Sequence, residues 1–257
     1  MANGTFGFSA RLLQRRMMRR WERIARHAAR MRLSDLRQVR LRALEMRALL
    51  DRVIHVADSR LTLPLIGSKA IQKPLHSDWA WRPPLWRGPI SPPGVAAAET
   101  KTTFGDDVTL FHDCRMSELT VRQVRNTREA DLAPYGLKMD VFNFDGSFLS
   151  LVIELPKGAL EGLKRKHLVR MTTVVESENN LEIFARLNVR HGPNTEQLVR
   201  ELPLGESEVM VEFDLAYTKL NEKRVEAAWV DLIFEGVRMN QVILRDVTFS
   251  RRPRAEL

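Results

Sequence analysis

Two hydrophobic periods divide the chain. From Leu36 the apolar positions run Leu36, Val39, Ala43, Met46, Leu50, Val53 and Ala57, steps of three and four that line one seam of a helix. Leu13, Met17, Trp21, Ile24, Ala28 and Met31 repeat that spacing, but the step from Met31 to Leu36 is five residues. The pattern predicts a helical arm over 9–58 whose register breaks beside Ser34 and Asp35, either of which suits a helix cap, or else continues with a stutter that rotates the stripe.

From Val108 the period changes to two. β-Branched and aromatic runs separated by turn residues predict strands near 107–112, 119–125, 138–144, 148–155, 167–176, 181–190, 196–201, 208–215, 227–235 and 241–250. Leu181, Ile183, Leu187 and Val189 alternate against Glu182, Arg186 and Asn188, and Val209, Val211, Phe213 and Leu215 against Glu212 and Asp214. Asp145-Gly146, between Phe144 and Phe148, is a hairpin signal, and Asn179-Asn180 predicts a second turn. Only 126–137 and 157–166 are left for short helices or irregular loops. Antiparallel strands in this number, with no helical period between them, imply two packed sheets or a closed barrel, of which the sandwich is the commoner at this strand count. The predicted fold is mainly β, an antiparallel jelly-roll β-sandwich over 101–250 with a basic tail at 251–257.

Between arm and sandwich, residues 59–100 carry Pro64, Pro74, Pro83, Pro84, Pro89, Pro92 and Pro93. Such a strap is expected to run extended over a surface, because proline removes the donors of helices and central strands. It also holds Trp79, Trp81 and Trp86, too much apolar area to leave in water, so it should dock. Trp79 and Trp81 fall on one side of an extended chain and have two readings. They form an aromatic platform for a sugar ring or Pro-rich peptide, with Trp86 and Trp229 as further candidates, or they plug the sandwich. Arg82 and Arg87 suit stacking on those rings in either case.

Charge sharpens the division. The first sixty residues hold fifteen Arg and no Lys against Glu22, Asp35, Glu45, Asp51 and Asp58, a net +10, so the other 197 carry about −1 of the total +9. Arg15, Arg19, Arg23, Arg26 and Arg30 flank the first apolar stripe as candidates for an anionic partner. The arm then packs on the domain or a partner helix or forms a homo-oligomer, lies on an anionic membrane, or binds nucleic acid. Nucleic acid is the weakest of these, since no known motif frames the arginines and the body has no second basic patch. An Arg-rich, acid-poor start also has the composition of an organelle transit peptide. No run reaches the length of a membrane span, and arginines interrupt every apolar stretch of the N-terminus before a signal sequence could form. Cys114 is the only cysteine, so an internal disulfide and a cysteine zinc site are excluded. The expected setting is cytoplasmic, with peripheral attachment at the inner membrane open.

Candidate chemistry is sparse. His112-Asp113-Cys114 brings a base, a carboxylate and a thiol together, but alternation along a strand turns Asp113 away from the other two, and a lone thiol is expected in a core. Asp140 with Asp145, or Asp231 with Asp246, would serve a glycan hydrolase that uses paired carboxylates. Asp246 with Asp106 or Asp107 would suit Ca²⁺ through oxygen ligands. No other cofactor is expected.

The closing strand Val242-Ile243-Leu244-Arg245-Asp246-Val247-Thr248-Phe249-Ser250, after Asp231-Leu232-Ile233-Phe234-Glu235, resembles the last two strands of jelly-roll carbohydrate-binding modules. Over its full length, with Trp-Arg-Pro-Pro-Leu-Trp-Arg-Gly-Pro at 81–89 and Leu-Phe-His-Asp-Cys at 110–114, the chain resembles an alphaproteobacterial family of unknown function. The resemblance implies a non-catalytic module with a carbohydrate ligand. Paired exposed aromatics of such modules find few counterparts here beyond Trp79, Trp81 and Trp229, since tyrosine occurs only twice. The reading is therefore a binding or structural protein, with a basic arm for oligomerisation or anionic-surface attachment. Its alternatives are a glycan-acting hydrolase and a membrane- or nucleic-acid-associated assembly component.

Overall fold

The computed structural model describes residues 8–61, 71, 73–128, 130–204 and 208–254, and the chain divides into two compact units, Met1–Arg52 and Val53–Leu257. Pro64 with the rest of 62–70, and tail residues 255–257, lie outside the described residues.

The arm is two helices, α1 (Phe8–His27) and α2 (Leu33–Leu61), separated by a 3-10 turn at Ala28–Arg30. The register break therefore comes a few residues before Ser34. Ser34 and Asp35 lie in the first turn of α2, where the Ser34 hydroxyl donates to the Asp35 carboxylate (3.3 Å) and the acid faces the positive end of the helix dipole. In both helices the stripe is half-buried nearest the turn, at Trp21, Ile24, Ala28 and Met31 and at Leu36, Val39, Ala43 and Met46. Farther away it is exposed, at Leu13 and Met17 and at Leu50 and Val53.

The sandwich begins inside the strap. Its strands are β1 (Trp79–Trp81), β2 (Gly94–Val95), β3 (Thr102–Phe104), β4 (Val108–His112), β5 (Leu119–Arg125), β6 (Tyr135–Val141), β7 (Leu149–Glu154), β8 (His167–Ser177), β9 (Glu182–His191), β10 (Asn194–Glu201), β11 (Glu208–Asp214), β12 (Val225–Glu235) and β13 (Asn240–Pro253). One sheet has the order β11-β8-β13-β6-β5-β2, with β1 also on β13, and the other β10-β9-β12-β7-β4-β3. All pairings are antiparallel, and the chain passes repeatedly between sheets, which gives the jelly roll. Leu110, Leu151, Ile153, Val230 and Leu232 of one sheet and Leu137, Met139, Met171, Val247 and Phe249 of the other fill the core, each fully buried.

Both turn signals mark crossovers instead of hairpins. β6 pairs with β5 and β13 while β7 pairs with β4 and β12, so Asp145-Gly146 carries the chain from sheet to sheet. Asp113 fixes that crossing, accepting from Ser147 N (2.7 Å), Ser147 Oγ (2.6 Å) and Phe148 N (3.2 Å). Asn179-Asn180 lies likewise between β8 and β9 of different sheets. The tight hairpin is β9–β10, where Gly192 adopts φ +59° in a two-residue loop with Pro193.

The strap enters the body instead of running over it. β13 is bulged between Leu244 and Asp246, and there its neighbour changes from β6, which ends opposite Leu244, to β1, which pairs at 249–251. The carbonyls around the bulge find other donors: Trp86 Nε1 reaches Leu244 O (2.9 Å), Asn126 Nδ2 reaches Arg245 O (2.8 Å) and Thr173 Oγ1 reaches Asp246 O (2.8 Å). Pro84 starts a single helical turn, Pro84–Arg87, that drives Leu85 and Trp86 into the core. Gln123 clasps this turn, donating to Leu85 O and Gly88 O and accepting from Ile90 N. Gly136 is required beside the bulge, since a Cβ there would sit 2.9 Å from Leu244 O.

Two ion pairs flank β1. Arg82 binds Asp246 through Nε (2.8 Å) and Nη2 (2.7 Å), both residues buried, and Arg251 binds Asp78 through Nε (2.9 Å) and Nη2 (3.1 Å). Partial burial works to raise the Asp78 pKa, but the hydrogen bonds and charge of Arg251 outweigh it and hold the carboxyl below its ordinary 3.8.

Trp86→Ala should lower unfolding stability by about 3–5 kcal/mol in urea titrations, through the cavity and the unpaired Leu244 carbonyl. For Asp78, whose folded pKa is the lower one, the contribution is complete well above pH 3.8 and is lost as pH falls through the folded value. The stability gap between wild type and Asp78→Asn should therefore be constant near neutrality and close in acid, as unfolding curves at a series of pH values will record.

Candidate functional site on the outer face of one sheet

Alternation along the strands of the β10-β9-β12-β7-β4-β3 sheet sends one set of side chains inward and the other out. The outward set should be polar, yet it includes Phe111, Phe148, Val152, Trp229 and Ile233. They line an open depression of about 440 Å³ together with Ser150, Arg186, Asn188, Gln197 and Asp231. Register builds it: Phe111 and Ile233 both oppose Ser150 on β7, Asp231 opposes Arg186 across β12–β9, and Trp229 opposes Asn188, which opposes Gln197 on β10.

At the centre lies a buried, tightly held carboxylate. Asp231 Oδ2 accepts from Arg186 Nε (2.7 Å) and Asn188 Nδ2 (3.0 Å), with Arg186 Nη2 in ion-pair contact at 2.6 Å. Asn188 Oδ1 in turn accepts from Gln197 Nε2 (3.0 Å). Both hydrogen bonds and the ion-pair contact fall on Oδ2. The site thus combines flat apolar faces with a fixed acceptor, an amide row and a guanidinium, a set suited to a ligand with both apolar faces and hydroxyl groups. Glu154, opposite Trp229 on β7, has its pKa raised, first by desolvation and further by the charges of Asp231 and Asp107 against the pull of Arg190.

Of the aromatic candidates, Trp229 alone belongs to this depression. Trp86 is a core residue with no exposed surface, its indole N–H spent on Leu244 O, and is removed from the ligand candidates. Trp79 and Trp81 stack on each other (centroids 6.5 Å apart) and Trp81 on core residue Phe249 (6.0 Å), so this pair plugs the sandwich.

Of the carboxylate pairs expected for hydrolysis, Asp231 with Asp246 does not form. Asp231 and Asp246 lie on different sheets, and Asp246 is taken by Arg82. Asp140 accepts from Gln241 Nε2 (2.9 Å) on β6, while Asp145 accepts from Arg115 N in the crossover. Asp106 and Asp107 sit in the β3–β4 turn, away from the sheet of Asp246, and among the described residues no group of three or more His, Cys, Asp or Glu could hold a metal. His112 Nε2 donates to Ala98 O (2.8 Å) while Nδ1 accepts from Cys114 N (3.2 Å), and burial leads the causes that push the Cys114 thiol up, so no relay forms. Arg15, Arg19, Arg23, Arg26 and Arg30 are exposed on the arm.

Phe111, Phe148, Ile233 and Gln197 were not singled out from the sequence. The signal lay in apolar residues at the outward phase of otherwise alternating strands.

The whole chain, residues 1–257, matches the model described as a family of unknown function, DUF6478. The chain belongs to that family. Comparison with curated proteins finds no match. Among solved structures, the enzymatically active domain of tailspike protein 4 from bacteriophage CBA120 aligns with TM-score 0.41 and 8% identity, over 60% of this chain and 21% of that one. The family 11 carbohydrate-binding module from Clostridium thermocellum, solved with a β-1,3-1,4-mixed-linked tetrasaccharide, aligns with TM-score 0.39 and 11% identity, over 64% and 98%. The CBM22-1 xylan-binding domain from Paenibacillus barcinonensis aligns with TM-score 0.36 and 9% identity, over 63% and 94%.

Arg186→Leu should leave the Asp231 carboxylate, 4% exposed, without its cation and lower stability by about 3–5 kcal/mol. Arg190→Leu, whose partner Glu226 is 51% exposed, should change it by less than about 1 kcal/mol, both read from denaturant midpoints.

Proposed function

We propose that this family member is a non-catalytic carbohydrate-binding module whose ligand lies in the depression over β12, β7 and β4. The observation that carries the reading is Trp229 and Phe111 beside the clamped Asp231, within one open depression. A pyranose presents C–H faces that stack on aromatic rings and hydroxyl groups that need fixed donors and acceptors. Trp229, Phe111 and Phe148 supply the first, and Asp231 Oδ1, Gln197 and Arg186 the second. Because the polar groups hold one another through the ladder register, little side-chain entropy is lost on binding, which favours affinity. An open groove suits a chain passing through better than a capped monosaccharide.

A second reading, hydrolysis of the same ligand, rests on Glu154 and Asp231 sharing this face, the first with its pKa raised and the second held by a guanidinium. Turnover without loss of the binding groove would favour it, and release of reducing ends is its direct measure.

Isothermal titration against soluble mixed-linkage β-glucan and xylan should show binding that Trp229→Ala weakens at least ten-fold, about 1.4 kcal/mol, while Trp79→Ala leaves it unchanged. Unaltered affinity in Trp229→Ala, or no binding to either polymer, would overturn the reading.

A further inference from the structure

The arm is a separate problem from the groove. At about 100° per residue, Leu13, Met17, Trp21 and Ile24 of α1 fall on one side of the helix and Arg15, Arg16, Arg19, Arg23 and Arg26 on the other. The six arginines from Arg15 to Arg26 are exposed, and among the described residues no carboxylate pairs with them. The apolar side, which Arg20 borders, is equally open over its first turns: Leu13 is 64% exposed and Met17 47%. A solvated charged face explains the arginines alone. It does not explain unbranched, adaptable apolar side chains left in water beside them.

We propose that α1 is an interfacial helix that lies on an anionic lipid surface, its Leu13–Met17 side in the acyl boundary and its arginines on the lipid phosphates. Three observations select this occupant. The arginine face demands an anion, and the only acid of α1 is Glu22. Self-association of α1 through the apolar side would set two arginine-rich helices together with no acidic flank to complement them. A nucleic acid would take the arginines but leave Leu13 and Met17 exposed, whereas a membrane surface takes both. No helix among the described residues is long and apolar enough to cross a bilayer, so the helix lies on the surface. Trp21, half-buried at the middle of the same side, is placed at headgroup depth.

The test is flotation of the full-length chain with vesicles of phosphatidylcholine alone and of phosphatidylcholine mixed with phosphatidylglycerol. Binding is expected to the mixed vesicles only, to fall steeply with added salt, and to weaken at least ten-fold in Leu13→Gln/Met17→Gln, which keeps every charge. Circular dichroism and the thermal unfolding of the variant report whether the chain is intact. A duplex DNA of arbitrary sequence serves as competitor. Equal binding of variant and wild type, or displacement from vesicles by DNA with the variant still binding DNA at full strength, would overturn the proposal in favour of a nucleic-acid arm. So would a concentration-dependent dimer that the variant abolishes while wild-type chain ignores anionic vesicles, which would assign the stripe to a second copy.

Discussion

The β-bulge between Leu244 and Asp246 is the constraint on which the body depends. β13 keeps β8 on one edge through the bulge, but its other edge passes from β6 to β1, and the carbonyls freed there need donors or cost several kcal/mol. The protein supplies those donors from the strap and the β5–β6 connection: an indole N–H, an asparagine amide and, from β8, a threonine hydroxyl. Trp86 is thus both hydrophobic plug and hydrogen-bond donor, which explains why a proline-rich segment is drawn into a core. The Arg82–Asp246 pair beside it contributes little net stability, since desolvation offsets attraction, but it admits only one placement of the segment.

Fixing that sheet leaves the opposite one free to carry function. The depression is made by a flat ladder, not by loops, so each lining residue is positioned by two neighbouring strands. Asp231 illustrates the consequence. A carboxylate in a sheet would ordinarily turn toward solvent, but the residue across the pair is Arg186 and the next row supplies Asn188, so it is held in place with one oxygen committed. A site of this kind has its geometry before any ligand arrives.

Much of this was legible in the sequence. The ten strands expected from alternation all form, most within a residue or two at each end, because alternation reports burial directly and burial is what the sheets satisfy. Three features were not legible, for different reasons. Asp145-Gly146 and Asn179-Asn180 are good turn residues, but turn chemistry is local and does not say whether the next strand pairs with the last or crosses to the other sheet. Trp86 was read with Trp79 and Trp81 because all three share a proline-rich context. Only the bulge, a non-local event more than 150 residues away, decides which of them is swallowed. The site itself was half visible: Trp229 and the polar phase of β9 stood out, but Phe111 and Ile233 did not, because only the register assigns their phase.

The sandwich and the arm share one feature, apolar side chains left open to solvent. The physics that follows differs. In the depression the apolar groups stand around a carboxylate neutralised by its own guanidinium, so any attraction there is short-range and insensitive to salt. On α1 they stand beside exposed arginines that have no carboxylate partner among the described residues, so the attraction is long-range and screened. Ionic strength consequently acts on one unit and leaves the other unaffected. On the proposed readings, a single chain would hold a neutral ligand with one surface while its hold on a charged one is set by the surrounding salt.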